Sequence, residues 1–396
     1  MLTSIFFPFL FSVRLALSSP SFSGPWDKYC NAPHVNASHY QLPEEGTELV
    51  HLTVMMRHHK RTPTALVPNE RGINDGIPWD CSGVSLFKYD GGGARLSHSV
   101  FTPPDHPFAR QMWAGNCEVG QLTTGGFHDS KAHGMDLWEL YHGRLGFLRL
   151  VDPSEIGVRT TYIDRTKQVA SGVLAGMDPS SAKRPWAVHA QPQLIDSLAP
   201  SYTCSRADEL LAEMLAAPFW QDILKNNSAV IEHMNSVLGT TNSTEWTTTF
   251  TYYQDVVAAR ICNGHPLPCN GSGDCVSEED ADEIFELGNL EFDYIWHLAE
   301  YAEPYNQLTF GVMFSELADA LEEPKHPLAL YVAHDTSMVR VAAGLGIFPI
   351  RWPRLGSEFA IEIWSDNVKP AAGLRAHLTE EESVRSEACR DTRSDS

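Results

Sequence analysis

Three short apolar runs in this chain end abruptly at charged or imidazole side chains, and that pattern constrains the fold more than any other. Leu49–Met56 (LVHLTVMM) stops at Arg57-His58-His59-Lys60-Arg61-Thr62-Pro63, and Leu328–Ala333 (LALYVA) stops at His334-Asp335. Gly157–Thr161, also strand-like, carries Arg159 close to its end. Runs of this length and composition read as buried strands. Strands that alternate with helical stretches such as Asp164–Met177, with Asp164 as N-cap, predict an α/β sheet. In an open sheet of that kind, ligands bind beyond the carboxyl ends of the strands. The three ends would therefore bring Arg57, His58, Arg61, Arg159, His334 and Asp335 to one pocket.

Those residue types suit one chemistry. A guanidinium bonds phosphate oxygens in bidentate fashion, and several forks can surround a dianion. A histidine inside such a cage is placed as a nucleophile. Each piece also has a plainer reading: RHHKR as a solvated basic patch, Arg159 as a surface residue, His334-Asp335 as a hydrogen-bonded pair. Adjacent His58 and His59 could bind a metal. Neighbouring side chains on extended backbone point to opposite faces, however, and Arg57 and Arg61 would repel a cation.

Around these strands, residues 47–203 and 306–364 read as the α/β core. Residues 64–115, rich in Gly, Pro and Asp with Gly91-Gly-Gly93 at a loop tip, read as an irregular insertion. Gly120–Gly126 (GQLTTGG) leads toward a helical stretch at Asp136–Leu150, and Phe359–Trp364 reads as a further strand. The helix-rich segment 204–305, with stripes at 206–238 and 278–303, predicts a separate helical cap. Residues 19–46 read as an exposed arm and residues 365–396 as a disordered tail.

The 396 residues include 43% hydrophobic ones, which fits a large globular core, and the net charge is −21. Such a surface disfavours nucleic acid and anionic membrane, so any grip on phosphate must be local. The apolar run Ile5–Val13 followed by Ala16-Leu17-Ser18 predicts a signal peptide over residues 1–18, hence secretion and no membrane contact after cleavage. Eight cysteines, at 30, 81, 117, 204, 262, 269, 275 and 389, predict disulfides. Cys262, Cys269 and Cys275 lack the short spacing of a zinc knuckle, and as an odd set they require a partner elsewhere for at least one. Acceptor triplets at Asn36, Asn226, Asn242 and Asn270 predict a glycoprotein.

The segment RHHKRTP resembles the R-H-G-x-R-x-P signature of the histidine acid phosphatases, branch 2 of the histidine phosphatase superfamily. Gly157–Ala175 (GVRTTYIDRTKQVASGVLA) is similar to that family's R-x-T-x-x-D-R-T-x-x-x-A block, and GQLTTGG to its G-Q-L-T-x-x-G. Ala333–Trp364 resembles its H-D-T motif and final S-E-x-x-x-E-x-W strand. The matches run in order from about residue 47 to 364, and RHHKRTP, NCEVGQLTTGG and CNGHPLPC look most like secreted fungal members. The resemblance implies a sheet with helices on both sides, a helical cap and no cofactor. It makes His58 the nucleophile, Arg57, Arg61, Arg159 and His334 phosphate ligands, and Asp335 the proton donor. His59 stands where the family has Gly; its bulk beside the nucleophile is expected to narrow substrate choice. After Trp364 the family continues with another strand and a further cysteine, whereas a polar stretch follows here.

The expected function is therefore hydrolysis of small phosphomonoesters through a phosphohistidine on His58, without metal. Rivals are a narrow phytase or phosphosugar phosphatase of the same family, a non-catalytic phosphosugar-binding protein, and a metal-dependent hydrolase. Intact His58 and Asp335 argue against a dead copy.

Overall fold

The computed structural model describes residues 29–42, 46–73, 76–84, 86–87, 96–98, 100–103 and 105–366. The expected signal peptide, the glycine tip at 91–93, Cys389 and nearly all of the expected tail lie outside them.

The strands are β1 (Thr47–Arg57), β2 (Leu86–Phe87), β3 (Leu96–Ser97), β4 (Ile156–Thr160), β5 (Val188–His189), β6 (Leu328–Ala333) and β7 (Glu358–Asp366). Five form a mixed sheet in the order β5-β4-β6-β1-β7. The first four of these run parallel, and β7 pairs antiparallel with β1. β2 and β3 make a separate hairpin inside the 64–115 insertion, which is otherwise irregular.

Helices α1 (Thr124–Trp138) and α2 (Asp164–Met177) cover one face of the sheet; α8 (Ala302–Glu322) and α9 (Asp335–Gly344) cover the other. Side-chain alternation explains the two layers. Leu52, Val54 and Met56 enter the α1–α2 core with Leu328, Leu330 and Val332, while Met55, Tyr331 and Ala333 face α8 and α9. Each such fully buried side chain contributes roughly 1.5–3 kcal/mol. Helices α3 (Ser205–Ala216), α4 (Pro218–Asn226), α5 (Ser228–Leu238), α6 (Thr251–Cys262) and α7 (Glu278–Asp293) share another apolar core around Phe250, Tyr253 and Phe285.

Several boundaries differ from the sequence reading. α1 starts at Thr124, twelve residues before the expected stretch, because the Thr123 side chain caps it. A Cβ on its Gly126 would lie 2.1 Å from the Lys60 carbonyl oxygen, and one on Gly134 would lie 2.0 Å from that of Val173. The glycines that look like a loop are close-approach points of a packed helix. Ile163 rather than Asp164 occupies the α2 cap position, and Asp164 pairs with Lys167 in the first turn. β7 extends two residues past Trp364, into what reads as tail.

Disulfides join Cys30 to Cys262, Cys81 to Cys117 and Cys269 to Cys275. Cys204 is also disulfide-bonded. The 262–275 trio thus resolves into one internal bridge and one bridge to the segment at Cys30. No described helix is long and apolar enough to cross a membrane.

Candidate active site

Arg57 and Ala333 are register partners at the carboxyl ends of β1 and β6, and Thr160 pairs with Val332 one step back on β4. The chain segments leaving those ends therefore meet. His58 donates its backbone N–H to the Ala333 carbonyl at 3.0 Å, and its ring lies 5.4 Å from that of His334.

The His58 ring is buried, with Nδ1 2.9 Å from the His59 carbonyl oxygen. A carbonyl can only accept, so Nδ1 carries the hydrogen and Nε2 keeps its lone pair. Burial, then the charges of Arg165, Arg61 and Arg57, hold the imidazole pKa well below its ordinary value. His58 is neutral, with its Nε2 lone pair available.

His334 is fixed by a different chain of bonds. Its Nε2 lies 3.0 Å from Thr161 Oγ1, which lies 3.0 Å from Thr166 Oγ1, which in turn donates to the Ile163 carbonyl at 2.8 Å. That direction makes Nε2 of His334 the donor and leaves the Nδ1 lone pair 3.3 Å from an Arg165 Nη. Burial and the same arginines also push its pKa well down.

Three guanidinium groups converge on the two imidazoles. Arg57 donates to Asp335 at 2.7 Å and to the Pro353 carbonyl, with its guanidinium 4.2 Å from the Trp352 ring centroid. Arg61 donates to Asp255 on α6 at 2.5 Å. Arg165 comes from the first turn of α2. Burial lowers Arg57 to about 10 and Arg165 to about 9, so both are charged at neutral and acid pH. The Nε atoms of Arg57, Arg61 and Arg165 are buried without a hydrogen-bond partner. A buried donor left unsatisfied costs about 1–3 kcal/mol, which an anion would relieve.

Arg159 does not join this group. Strand alternation turns it to the opposite face of β4, where it bonds Glu316 at 3.1 Å and Asp196 at 2.9 Å. Its expected place beside His58 and His334 is taken by Arg165, six residues on. The signal was present, since Arg165 is the second arginine of the quoted D-R-T block. Sequence reasoning also missed Asp255, which accepts from the Thr64 N–H and hydroxyl as well as from Arg61. Its only sequence mark is a lone acid within an apolar helix.

His59 is a second correction. Its ring leaves the backbone on the side away from His58, 3.2 Å from His133 Nδ1 and beneath Gly356. It does not narrow the pocket. Asp335 accepts from Arg57, from Trp352 Nε1 at 3.2 Å and from the Thr336 N–H at 2.7 Å. Burial opposes its ionisation, but Arg57, Arg61, the Thr336 bond and Arg165 outweigh burial and hold the carboxyl below its usual range. In the free site Asp335 is a carboxylate.

A model of the histidine phosphatase superfamily (branch 2) matches residues 48–386. Counting factor 60 of Dictyostelium discoideum is 25% identical over 90% of this chain and 85% of its own length. Human lysosomal acid phosphatase is 26% identical over 63% of this chain and 60% of its own length. Among solved structures, apo Hafnia alvei phytase superposes with a TM-score of 0.55 at 17% identity, covering 83% of each chain; that likeness concerns the fold.

Proposed function

Because the chain belongs to branch 2 of the histidine phosphatase superfamily, we propose that it hydrolyses small phosphomonoesters through a phosphohistidine on His58. The observation that carries this reading is the neutral His58 ring, its Nε2 lone pair free and three guanidinium groups around it. Arg57, Arg61 and Arg165 neutralise the phosphoryl oxygens, and His334 adds a donor when its Nδ1 is protonated. The Nε2 lone pair forms the N–P bond as the P–O ester bond breaks, and Asp335 gives the departing oxygen a proton. Water then attacks phosphorus, Asp335 takes its proton, and the P–N bond breaks to release phosphate. No step calls on a metal.

The disulfides and the expected leader support a secreted protein, and the acceptor triplets at Asn36, Asn226, Asn242 and Asn270 support glycosylation. The test is turnover of a panel of phosphomonoesters from acid to neutral pH with EDTA present. Wild type should turn over with chelator, His58→Ala should not, and an alkaline quench should trap phosphate on His58. Activity that depends wholly on added metal would overturn the reading.

A further inference from the structure

Away from the phosphate pocket, three histidines from distant parts of the chain meet. His59 follows β1, His133 lies within α1, and His34 belongs to the segment at residues 29–42. The His34 and His133 rings stack at 3.8 Å, and His59 stands edge-on to His34 at 5.7 Å and to His133 at 5.3 Å. One nitrogen from each ring lies within 4.8 Å of the other two. His59 and His133 are fully buried, and the His34 side chain is 13% exposed. We propose that His34, His59 and His133 form a divalent-cation site of zinc type that clamps the segment around residue 34 onto the core.

The surrounding bonds have the form a metal-binding histidine needs. His133 Nε2 lies 2.8 Å from Glu358 Oε2, and His34 Nδ1 lies 2.9 Å from Asp136 Oδ2. A carboxylate on one ring nitrogen fixes the tautomer and raises the basicity of the other, which leaves lone pairs on His133 Nδ1 and His34 Nε2. Because those two rings stack almost parallel, the His34 ring must swing out of the stack for both lone pairs to meet one ion. Three imidazoles favour zinc or a similar borderline ion over calcium or magnesium, which prefer oxygen. Asp136 and Glu358 supply two negative charges against a doubly charged ion. Glu358 has few other duties: its second oxygen accepts the Val35 N–H at 2.6 Å, tying the same segment down.

One of the three spacings already fits. Two imidazole nitrogens on a tetrahedral zinc, each about 2.0–2.1 Å from it, lie about 3.3 Å apart. His59 Nε2 and His133 Nδ1 already stand 3.2 Å apart, joined by a hydrogen bond that a cation would replace. The His59 proton moves to Nδ1, which has no other partner, so no proton need leave the site. Solvent reaching past His34 would fill the fourth position. The arginines that would repel a cation lie on the opposite side of the His58 backbone, with Arg57 bound to Asp335 and Arg61 to Asp255.

The test uses the full chain, freed of metal by a chelator and titrated with Co2+ and then Zn2+. One Co2+ per chain should bind with the intense visible bands of a four-coordinate ion, Zn2+ should displace it, and the melting temperature should rise. His34→Ala and His59→Gly should each weaken binding by at least about 100-fold, and Asp136→Asn by about 10-fold, the scale typical of partners behind the ligands. Asp136→Asn preserves shape and reads the site even if a histidine variant fails to fold. Absence of stoichiometric binding, or affinity unchanged in His59→Gly and Asp136→Asn, would overturn the proposal. Neither readout depends on phosphatase activity, so its failure leaves the His58 reading untouched.

Discussion

Replacing two arginines six residues apart should give opposite defects. Arg165 faces the imidazoles of His58 and His334 and spends little of its hydrogen-bonding capacity on the protein: a 3.3 Å contact to His334 Nδ1, a 3.4 Å bond to the Gly120 carbonyl, and a buried Nε with no partner. Its donors are available to an oxyanion. Removing one such preorganised donor typically costs about 10²–10³ in kcat, so Arg165→Ala should lose that much while remaining folded. Arg159 is instead committed to Asp196, Glu316 and the Thr160 carbonyl. Arg159→Ala removes the guanidinium from fully buried Asp196, leaving it the Tyr162 and Leu198 N–H bonds, and breaking a buried pair by removing one partner costs about 3–5 kcal/mol. That variant should unfold at much lower urea yet turn over normally wherever it is folded. Urea melts by circular dichroism and steady-state kinetics on an alkyl phosphate separate the two. A folded Arg159→Ala protein with a hundredfold lower kcat, beside an Arg165→Ala protein of near-normal kcat, would refute the assignment.

Asp335→Asn should slow alkyl esters by about 10²–10⁴-fold, the usual worth of general acid catalysis, and spare the first step with nitrophenyl phosphate. Rapid-quench kinetics should then show a nitrophenol burst; equal losses on both esters would remove Asp335 as the acid. A third prediction concerns stability in the helical region. Burial pushes the Glu291 carboxyl up from 4.5 to about 7, against bonds from Thr249, Phe250 and Thr251 that favour ionisation. Because the folded pKa is raised, its stabilisation is complete below about 4.5 and is lost as pH rises through 7, a change on the order of 3 kcal/mol. Glu291→Gln should flatten urea stability between pH 5 and 8; an unchanged slope would show that Glu291 is ionised throughout.

Much of the core was legible because near-continuous apolar runs leave few alternatives. β6 and α2 have the bounds that the apolar pattern gives, and β1 differs by two residues at one end and one at the other. α1 was hidden because Gly125, Gly126 and Gly134 weaken helical appearance, and the neighbouring Lys60 and Val173 carbonyls that explain Gly126 and Gly134 are not local in sequence. Arg159 was misplaced because a strand end names the right neighbourhood, while the two-residue period decides which side chain enters it. Nothing local reveals Asp255, whose role depends on α6 reaching Arg61 across 194 residues of sequence separation. His59 was read against the family's small residue without the compensating space: a Cβ on Gly356 would lie 2.5 Å from its ring.

In the proposed mechanism the ionised state of Asp335 is no obstacle to its role as an acid, because the charges of the site turn it into a means of loading the proton. In the free pocket three guanidinium groups face two carboxylates, Asp335 and Asp255, leaving one positive charge. A phosphomonoester dianion over-neutralises that by one, and in a buried site the excess is costly. One added proton restores balance, and the two carboxylates do not compete for it equally. Asp255 keeps two bonds from Thr64, which the phosphate does not displace. Asp335 also accepts from Trp352 and Thr336, but in the proposed mechanism it stands beside the leaving oxygen, and the incoming negative charge there raises its pKa. On the proposed mechanism, substrate would thus bring about the protonation its own leaving group requires, and a carboxyl held low in the free site would become the acid only once phosphate is bound.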